Sequence, residues 1–140
     1  VFFDFSKAFD LVWKPGVIHK LKTLGLNGHI VNWITCFLTD RKFQVKIKNS
    51  FSDIHNLENG TPQGSVISPI LFLILINDFP QMSDTKTYSS LFADDSAIWK
   101  TGRHIETIIK DITAYVSTIE KWCNTWGFRI NEEKNSRHDI

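Results

Sequence analysis

Asp94 and Asp95 stand side by side in the stretch Leu91-Phe92-Ala93-Asp94-Asp95-Ser96-Ala97-Ile98-Trp99. Adjacent carboxylates repel one another and lose hydration in apolar surroundings, so such a pair calls for a compensating partner. Apolar residues flank the pair on both sides. The pattern is strand, tight turn, strand, with both acids at the tip. A rigid ledge of that kind would hold hard divalent cations such as Mg²⁺, which take oxygen ligands. An ordinary Asp-Asp turn joining two strands explains the same letters, and the pair alone leaves both readings open.

A third acid stands in an equally apolar setting, Asp4 in Val1-Phe2-Phe3-Asp4-Phe5. Reaching the same ion as Asp94 and Asp95 would account for it, as would ending a strand before Ser6-Lys7. Asp10, after Ala8-Phe9, reads as a turn or helix cap rather than a ligand. The loop Gly60-Thr61-Pro62-Gln63-Gly64-Ser65 is dense in turn residues. Gly64 would let another group approach the backbone, and Gln63 could offer an amide to a substrate edge. Loops of this composition also simply enter helices.

The elements that must position these groups follow from periodicity. Pro15-Gly16 opens a helix with Val17, Ile18, Leu21 and Leu24 on one face, Lys20 and Lys22 on the other, and Gly25 at its end. A second helix starts at Asn27-Gly28 and packs through Ile30, Trp33, Ile34, Phe37 and Leu38. Phe43 to Lys48 alternates apolar and basic, and Asn49-Ser50 turns it into a strand from Phe51 to Leu57. Val66 to Asn77 reads as a buried helix. Pro80 to Thr87 is a polar connector, and Tyr88 to Trp99 carries the acidic hairpin. From His104 to Trp126, apolar residues at steps of three and four make the strongest amphipathic helix in the chain. Gly127 ends it, and Phe128-Arg129-Ile130 is a short strand.

A chain of 140 residues and 16.2 kDa is large enough for a real core and suggests one domain. A net charge of +1 names no partner. From Lys14 to Lys48, however, seven basic residues stand against one acid, Asp40, an excess that could face phosphates or solvent. Cys36 and Cys123 lie in apolar helical patterns and read as buried free thiols in a reducing compartment. The five histidines form no zinc spacing with either cysteine. Asn59-Gly60-Thr61 matches a glycosylation sequon by chance, since nothing else indicates secretion. No signal peptide is visible, and the longest apolar run, Ile70 to Ile76, is far too short to span a bilayer. The chain opens at Val1 in mid-strand, the look of an internal piece.

Four stretches together resemble the reverse transcriptases of non-LTR, jockey-like retrotransposons. They are Phe3-Asp4-Phe5-Ser6-Lys7-Ala8-Phe9-Asp10, Gly60 through Phe72, Phe92-Ala93-Asp94-Asp95, and Gly127-Phe128-Arg129-Ile130-Asn131 through Lys134. They fall in the family's order and cover nearly the whole chain. The resemblance implies an α+β fold, a polymerase palm-type antiparallel sheet backed by helices with part of the fingers. About residues 14–60 would be a fingers-side insertion. It implies RNA-directed DNA polymerase activity, in which two Mg²⁺ ions (Mn²⁺ as a substitute) support nucleotidyl transfer from a dNTP to a primer 3′-hydroxyl. Asp4 and Asp94 would hold both ions, with Asp95 beside them and the Phe5 carbonyl completing one shell. Pro62, Gln63, Gly64 and Ser65 would lie along the incoming nucleotide and template base, and Phe9 under its sugar. Lys134 would protonate the pyrophosphate. Arg41, Lys42, Lys46 and Lys48 would face the template backbone.

The implied partners are an RNA template, a DNA primer and dNTP, without a membrane, inside a larger polyprotein that carries an endonuclease domain. The parent element would act in the cytoplasm and nucleus. The family's upstream fingers strands and downstream thumb have no counterpart in the chain, so by itself it would be silent in catalysis. Asn135 stands where family members carry a small hydroxyl residue, and Asn135 to Ile140 does not read as the next strand. A decayed, inactive element that at most binds nucleic acid is the alternative. A two-metal nuclease would explain the acids but not Gln63-Gly64 or Phe9.

Overall fold

Aromatic and β-branched side chains in alternation pair Thr87–Phe92 (β6) with Asp95–Lys100 (β7), and Phe2–Asp4 (β1) joins the free side of β7. In this computed structural model residues 1–81 and 87–131 are described. In chain order the remaining elements are Lys14–Thr23 (α1), Gly28–Leu38 (α2), Lys42–Phe43 (β2), Lys46–Ile47 (β3), Ser50–Phe51 (β4), His55–Asn56 (β5), Ser68–Ile76 (α3) and Ile105–Trp126 (α4). The architecture is α+β, with antiparallel sheets and four helices among the described residues. The chain forms two compact units, one from residues 1–8 and the described residues from 76 onward, the other from residues 9–75.

The first unit is the three-stranded antiparallel sheet, ordered β1-β7-β6, with α4 against β7. Its inner face buries Phe3 and Ile98. Phe5 is the centre of an aromatic cluster, its ring 5.0 Å from Phe128, 5.9 Å from Phe3 and 6.2 Å from Trp122. Trp122 and Phe128 stack at 5.1 Å. Such pairs add about 0.5–1.5 kcal/mol each beyond the area they bury. Three polar ties hold α4 in place. Tyr115 donates to the Pro80 carbonyl at 2.6 Å, Trp122 Nε1 donates to Asp78 Oδ1 at 2.9 Å, and Lys100 pairs with Asp111 at 3.1 Å. Gly127 caps the helix at φ 76°, a left-handed conformation that glycine takes without strain. The buried stripe of α4 is shorter than its periodicity predicts. Tyr115, Ile119, Trp122 and Cys123 are buried, whereas Ile105 and Ile109 face solvent. The strand expected at Phe128-Arg129-Ile130 is reduced to one bridge, Ile130 with Phe5.

The second unit packs α1 against α2 over Val17, Leu21, Val31, Ile34 and Leu38. Asn27 caps α2 by accepting from the His29 amide at 2.8 Å. Several expectations change here. Ile30 and Trp33 are exposed, with Trp33 stacked on Phe37 at the surface, because the stripe runs Val31-Ile34-Leu38. Cys36 is exposed too, not buried. Lys20 is buried and donates to the Leu75 carbonyl instead of facing solvent. The basic hairpin turns at Lys48-Asn49, one residue earlier than Asn49-Ser50, since Ile47 pairs with Ser50, and Lys48 takes φ 55°. Its pairing is broken into β2 with β5 and β3 with β4. Between them the Ser52 amide donates to the Val45 carbonyl at 2.9 Å. Helix α3 is shorter than Val66 to Asn77, and Val66, Ile70 and Leu73 are exposed. The connector Pro80 to Thr87 lies partly outside the described residues, and Asn135 to Ile140 wholly so.

Candidate active site

The acids of the first unit are brought together by strand register. Asp4 stands opposite Asp95 across the β1–β7 pair, and the Phe5 amide donates to the Asp94 carbonyl at 3.1 Å. Directly opposed residues of an antiparallel pair point to the same face. Asp4 and Asp95 accordingly line one cleft of about 330 Å³ on the outer face of the sheet, with Phe2, Ser90 and Phe92 around them. Asp4 is 7% exposed, and its Oδ1 is closed off from solvent. Asp95 is exposed and Asp94 half-buried. On the other edge of β1 the Asn131 amide donates to the Asp4 carbonyl at 2.8 Å and the Ser6 amide to Arg129 at 2.8 Å. Asp4 is therefore clamped from both sides by backbone.

Asp94 is set by the turn that precedes it. Phe92 pairs with Asp95, which leaves Ala93 and Asp94 as a two-residue hairpin loop. Ala93 has φ 54°, a left-handed conformation that costs a non-glycine residue about 1–2 kcal/mol. Strain of this kind tends to collect where a site fixes its geometry.

All the donors at this ledge are oxygens, the chemistry that Mg²⁺ and Mn²⁺ require. Asp4 and Asp95 share the cleft, and Asp94 follows along the turn. The side chains do not close on a common point. Among the described residues no group of three His, Cys, Asp or Glu is placed to hold a metal ion. Donor chemistry and backbone register fit the ions, and the carboxylates would have to converge around them. The Phe5 ring is 1% exposed and belongs to the core, so only its backbone is available to a ligand.

In the second unit the loop of Pro62, Gln63, Gly64 and Ser65 is sewn to the segment of Phe9 and Asp10. The Thr61 amide donates to the Phe9 carbonyl at 2.9 Å, the Gly60 amide to Val12 at 2.8 Å, and Gln63 Nε2 to Asp10 Oδ1 at 2.7 Å. Gly64 is exposed at φ 84° with open space where a Cβ would stand, so its backbone can be approached. Ser68 donates to the Pro62 carbonyl at 2.7 Å and the Ser65 amide to the same carbonyl at 3.2 Å, which closes the loop onto the start of α3. Phe9 is half-buried, its ring 5.0 Å from Phe72.

Residues 1–138 match the reverse transcriptase (RNA-dependent DNA polymerase) family. The chain belongs to that family. It is 32% identical over 140 residues to a probable RNA-directed DNA polymerase from transposon BS of Drosophila melanogaster, a match covering 96% of this chain and 15% of that protein. It is 30% identical over 139 residues to the RNA-directed DNA polymerase from mobile element jockey of the same fly, covering 95% and 15%. A more distant relative, at 26% identity over 142 residues, is a retrovirus-related Pol polyprotein from type-1 retrotransposable element R2 of Popillia japonica, covering 94% and 22%. The non-LTR reverse transcriptase resemblance read from the four motifs stands. The chain spans about 15% of the length of these first relatives.

Elsewhere in this reverse transcriptase chain, Lys42, Lys46 and Lys48 are exposed on the hairpin, with Lys46 5.3 Å above the Phe51 ring. Arg41 is half-buried at the hairpin's base. Lys134 lies outside the described residues. Two features escaped sequence reasoning. Asp10, read as a cap, is the partner of Gln63. Lys14, at the first position of α1, is 7% exposed and donates to the Leu57 carbonyl. The signal for Lys14 was present in its spacing, since Lys14, Val17 and Leu21 fall on one helical face. No helix among the described residues is long and apolar enough to cross a membrane.

Proposed function

We propose that this chain is the palm-type core, with part of the fingers, of an RNA-directed DNA polymerase. It would extend a DNA primer on an RNA template from dNTPs. The observation that carries the reading is the pairing of Asp4 with Asp95, and of the Phe5 amide with the Asp94 carbonyl, in a chain of the reverse transcriptase family. Asp4, Asp94, Asp95 and the Phe5 carbonyl would hold two Mg²⁺ ions, with Mn²⁺ as a substitute. When bound, such ions neutralise charge building on the reacting phosphate and favour the attacking 3′-oxygen.

The chain's own groups position the substrates. Phe9 forms the floor under the sugar of the incoming nucleotide. The open backbone at Gly64 and the Gln63 amide lie along the base pair being formed. Lys134 donates a proton to the departing pyrophosphate, and Arg41, Lys42, Lys46 and Lys48 run along the template backbone. The residues act inside a longer protein of the element, in the cytoplasm and nucleus of its host.

The test is a chimaera in which this chain replaces the corresponding stretch of the jockey polymerase. Asp4→Asn and Asp94→Asn should each lower primer extension on an RNA template by about 100-fold or more, the loss that several kcal/mol of charge stabilisation predicts. Melting temperature should hold within a few degrees, because neither change alters packing. Extension by Asp94→Asn at near the parent rate would overturn the role of this ledge.

A further inference from the structure

Lys14 and Arg41 are two cations of the second unit set close together, with no ion-pair partner among the described residues. Lys14 is 7% exposed, and one of its three ammonium protons goes to the Leu57 carbonyl. Arg41 Nη1 is closed off from solvent with no acceptor among the described residues. The Leu57 amide donates to the Arg41 carbonyl at 2.8 Å, so one stretch of the hairpin's return strand ties both residues. Asp10 and Asp40, the acids nearest to Lys14 and Arg41 along the chain, are both exposed, and Asp10 accepts instead from Gln63. Burial, and then the Arg41 charge, hold the Lys14 ammonium below its ordinary pKa. Lys14 also begins α1, with no acid in the helix's first turn, so the positive end of the helix dipole adds to the same potential.

Burying like charges together is costly unless something of opposite sign completes the site. Space for it exists. A cleft of about 320 Å³ opens at this point, lined by Lys14, His19, Lys22 and Thr39 over the apolar floor of Ile18 and Leu38. A tetrahedral oxyanion there would meet the two Lys14 protons not given to Leu57 and the Lys22 ammonium, with the Arg41 charge close to Lys14.

We propose that this cleft is a phosphate-binding site of the chain, separate from the acidic ledge, that takes a backbone phosphodiester of a nucleic-acid strand or a free phosphate group. It does not depend on polymerase activity. A surface lysine holds a phosphate as a point charge that salt screens; a buried one set against a second cation binds at one place.

The test compares the 140-residue chain with Lys14→Met, which keeps the aliphatic stem. Melting is followed in sodium phosphate and in sodium chloride at matched ionic strength. Phosphate should raise the melting temperature of the parent by several degrees and leave Lys14→Met unmoved. A fluorescent 12-nucleotide RNA is then titrated across salt concentrations. A backbone ligand predicts about tenfold weaker RNA binding by Lys14→Met, with the salt slope reduced by about one. Selective stabilisation by phosphate with RNA binding unchanged assigns the site to free phosphate. Should Lys14→Met not fold, Lys22→Met, at an exposed residue that lines the cleft, gives the same readouts. Phosphate acting equally on parent and variant, with unchanged RNA binding, overturns the site.

Discussion

Gln63 donates to Asp10 at 2.7 Å across 53 positions of sequence, so the Phe9-Asp10 end of the first motif stretch and the stretch Gly60–Phe72 are joined inside the second unit by a side-chain bond. Gln63 is exposed, so the bond has little worth for global stability. Its effect is to fix the loop that presents Gly64. Asp10→Ala and Gln63→Ala should each cost about 1 kcal/mol or less in denaturant unfolding, with a coupling energy near 0.5–1 kcal/mol in the double-mutant cycle. A coupling of zero would show that the bond does not hold in solution.

Gly60 is a different matter. It takes φ 87°, and a Cβ added there would stand 2.7 Å from the Asp10 carbonyl oxygen, a backbone atom that cannot step aside. Gly60→Ala should therefore destabilise the fold by about 2 kcal/mol or more, through strain and clash together. Unfolding monitored by circular dichroism in urea measures it.

The tip of the acidic hairpin carries its own strain at Ala93, φ 54°. Glycine takes that conformation freely, whereas a β-branched residue is poorly suited to it. Ala93→Gly should be neutral to within about 1 kcal/mol, since relief of strain offsets the greater freedom of the unfolded chain. Ala93→Val should cost about 1–2 kcal/mol more than Ala93→Gly, and in the chimaera it should cost activity beyond its stability loss by shifting Asp94. Equal stability of the two variants would mean that the turn relaxes.

Phe9 rests on Phe72 at 5.0 Å and is half-buried, which leaves one side of the ring open. If that side lies under the sugar of the nucleotide, it leaves no room and no hydrogen-bond partner for a 2′-hydroxyl. In the chimaera Phe9→Val should raise the relative use of ribonucleotides by about tenfold or more, a change that needs only ~1.4 kcal/mol. Equal loss of both nucleotide types, tracking a fall in melting temperature, would leave Phe9 as packing alone.

The two thiols should separate in reactivity. Burial, with Glu120 adding to it, pushes the Cys123 thiol up to about 12, while Cys36 is exposed. In the native chain a disulfide reagent at pH 8 should titrate one thiol quickly and the second only on unfolding. The same shift makes stability depend on pH. The unfolded thiol ionises from about pH 9, and the folded one stays protonated until about 12. This group's contribution should therefore be flat below pH 9 and be lost progressively from pH 9 to 12. Cys123→Ala should remove that part of the decline.

The letters of this chain determined its local chemistry. Asp95, expected at the tip, is instead the first residue of β7. The strand–turn–strand that presents Asp94, the turn loop at Gly60 to Ser65, the glycine at the end of α4 and the helix starts at Pro15 and Asn27 all follow from residue type and spacing. Each rests on interactions within a few residues. The tertiary structure decided what depends on distant partners. It chose Val31-Ile34-Leu38 over Ile30-Trp33-Phe37 as the buried stripe of α2, because both sets satisfy helical spacing and only the neighbouring helix selects between them. It buried Lys14 and Lys20 by supplying carbonyls at Leu57 and Leu75, 43 and 55 residues away, which no local pattern encodes. It set Asp4 opposite Asp95 by strand register, where a slip of one residue would have turned the acid into the core.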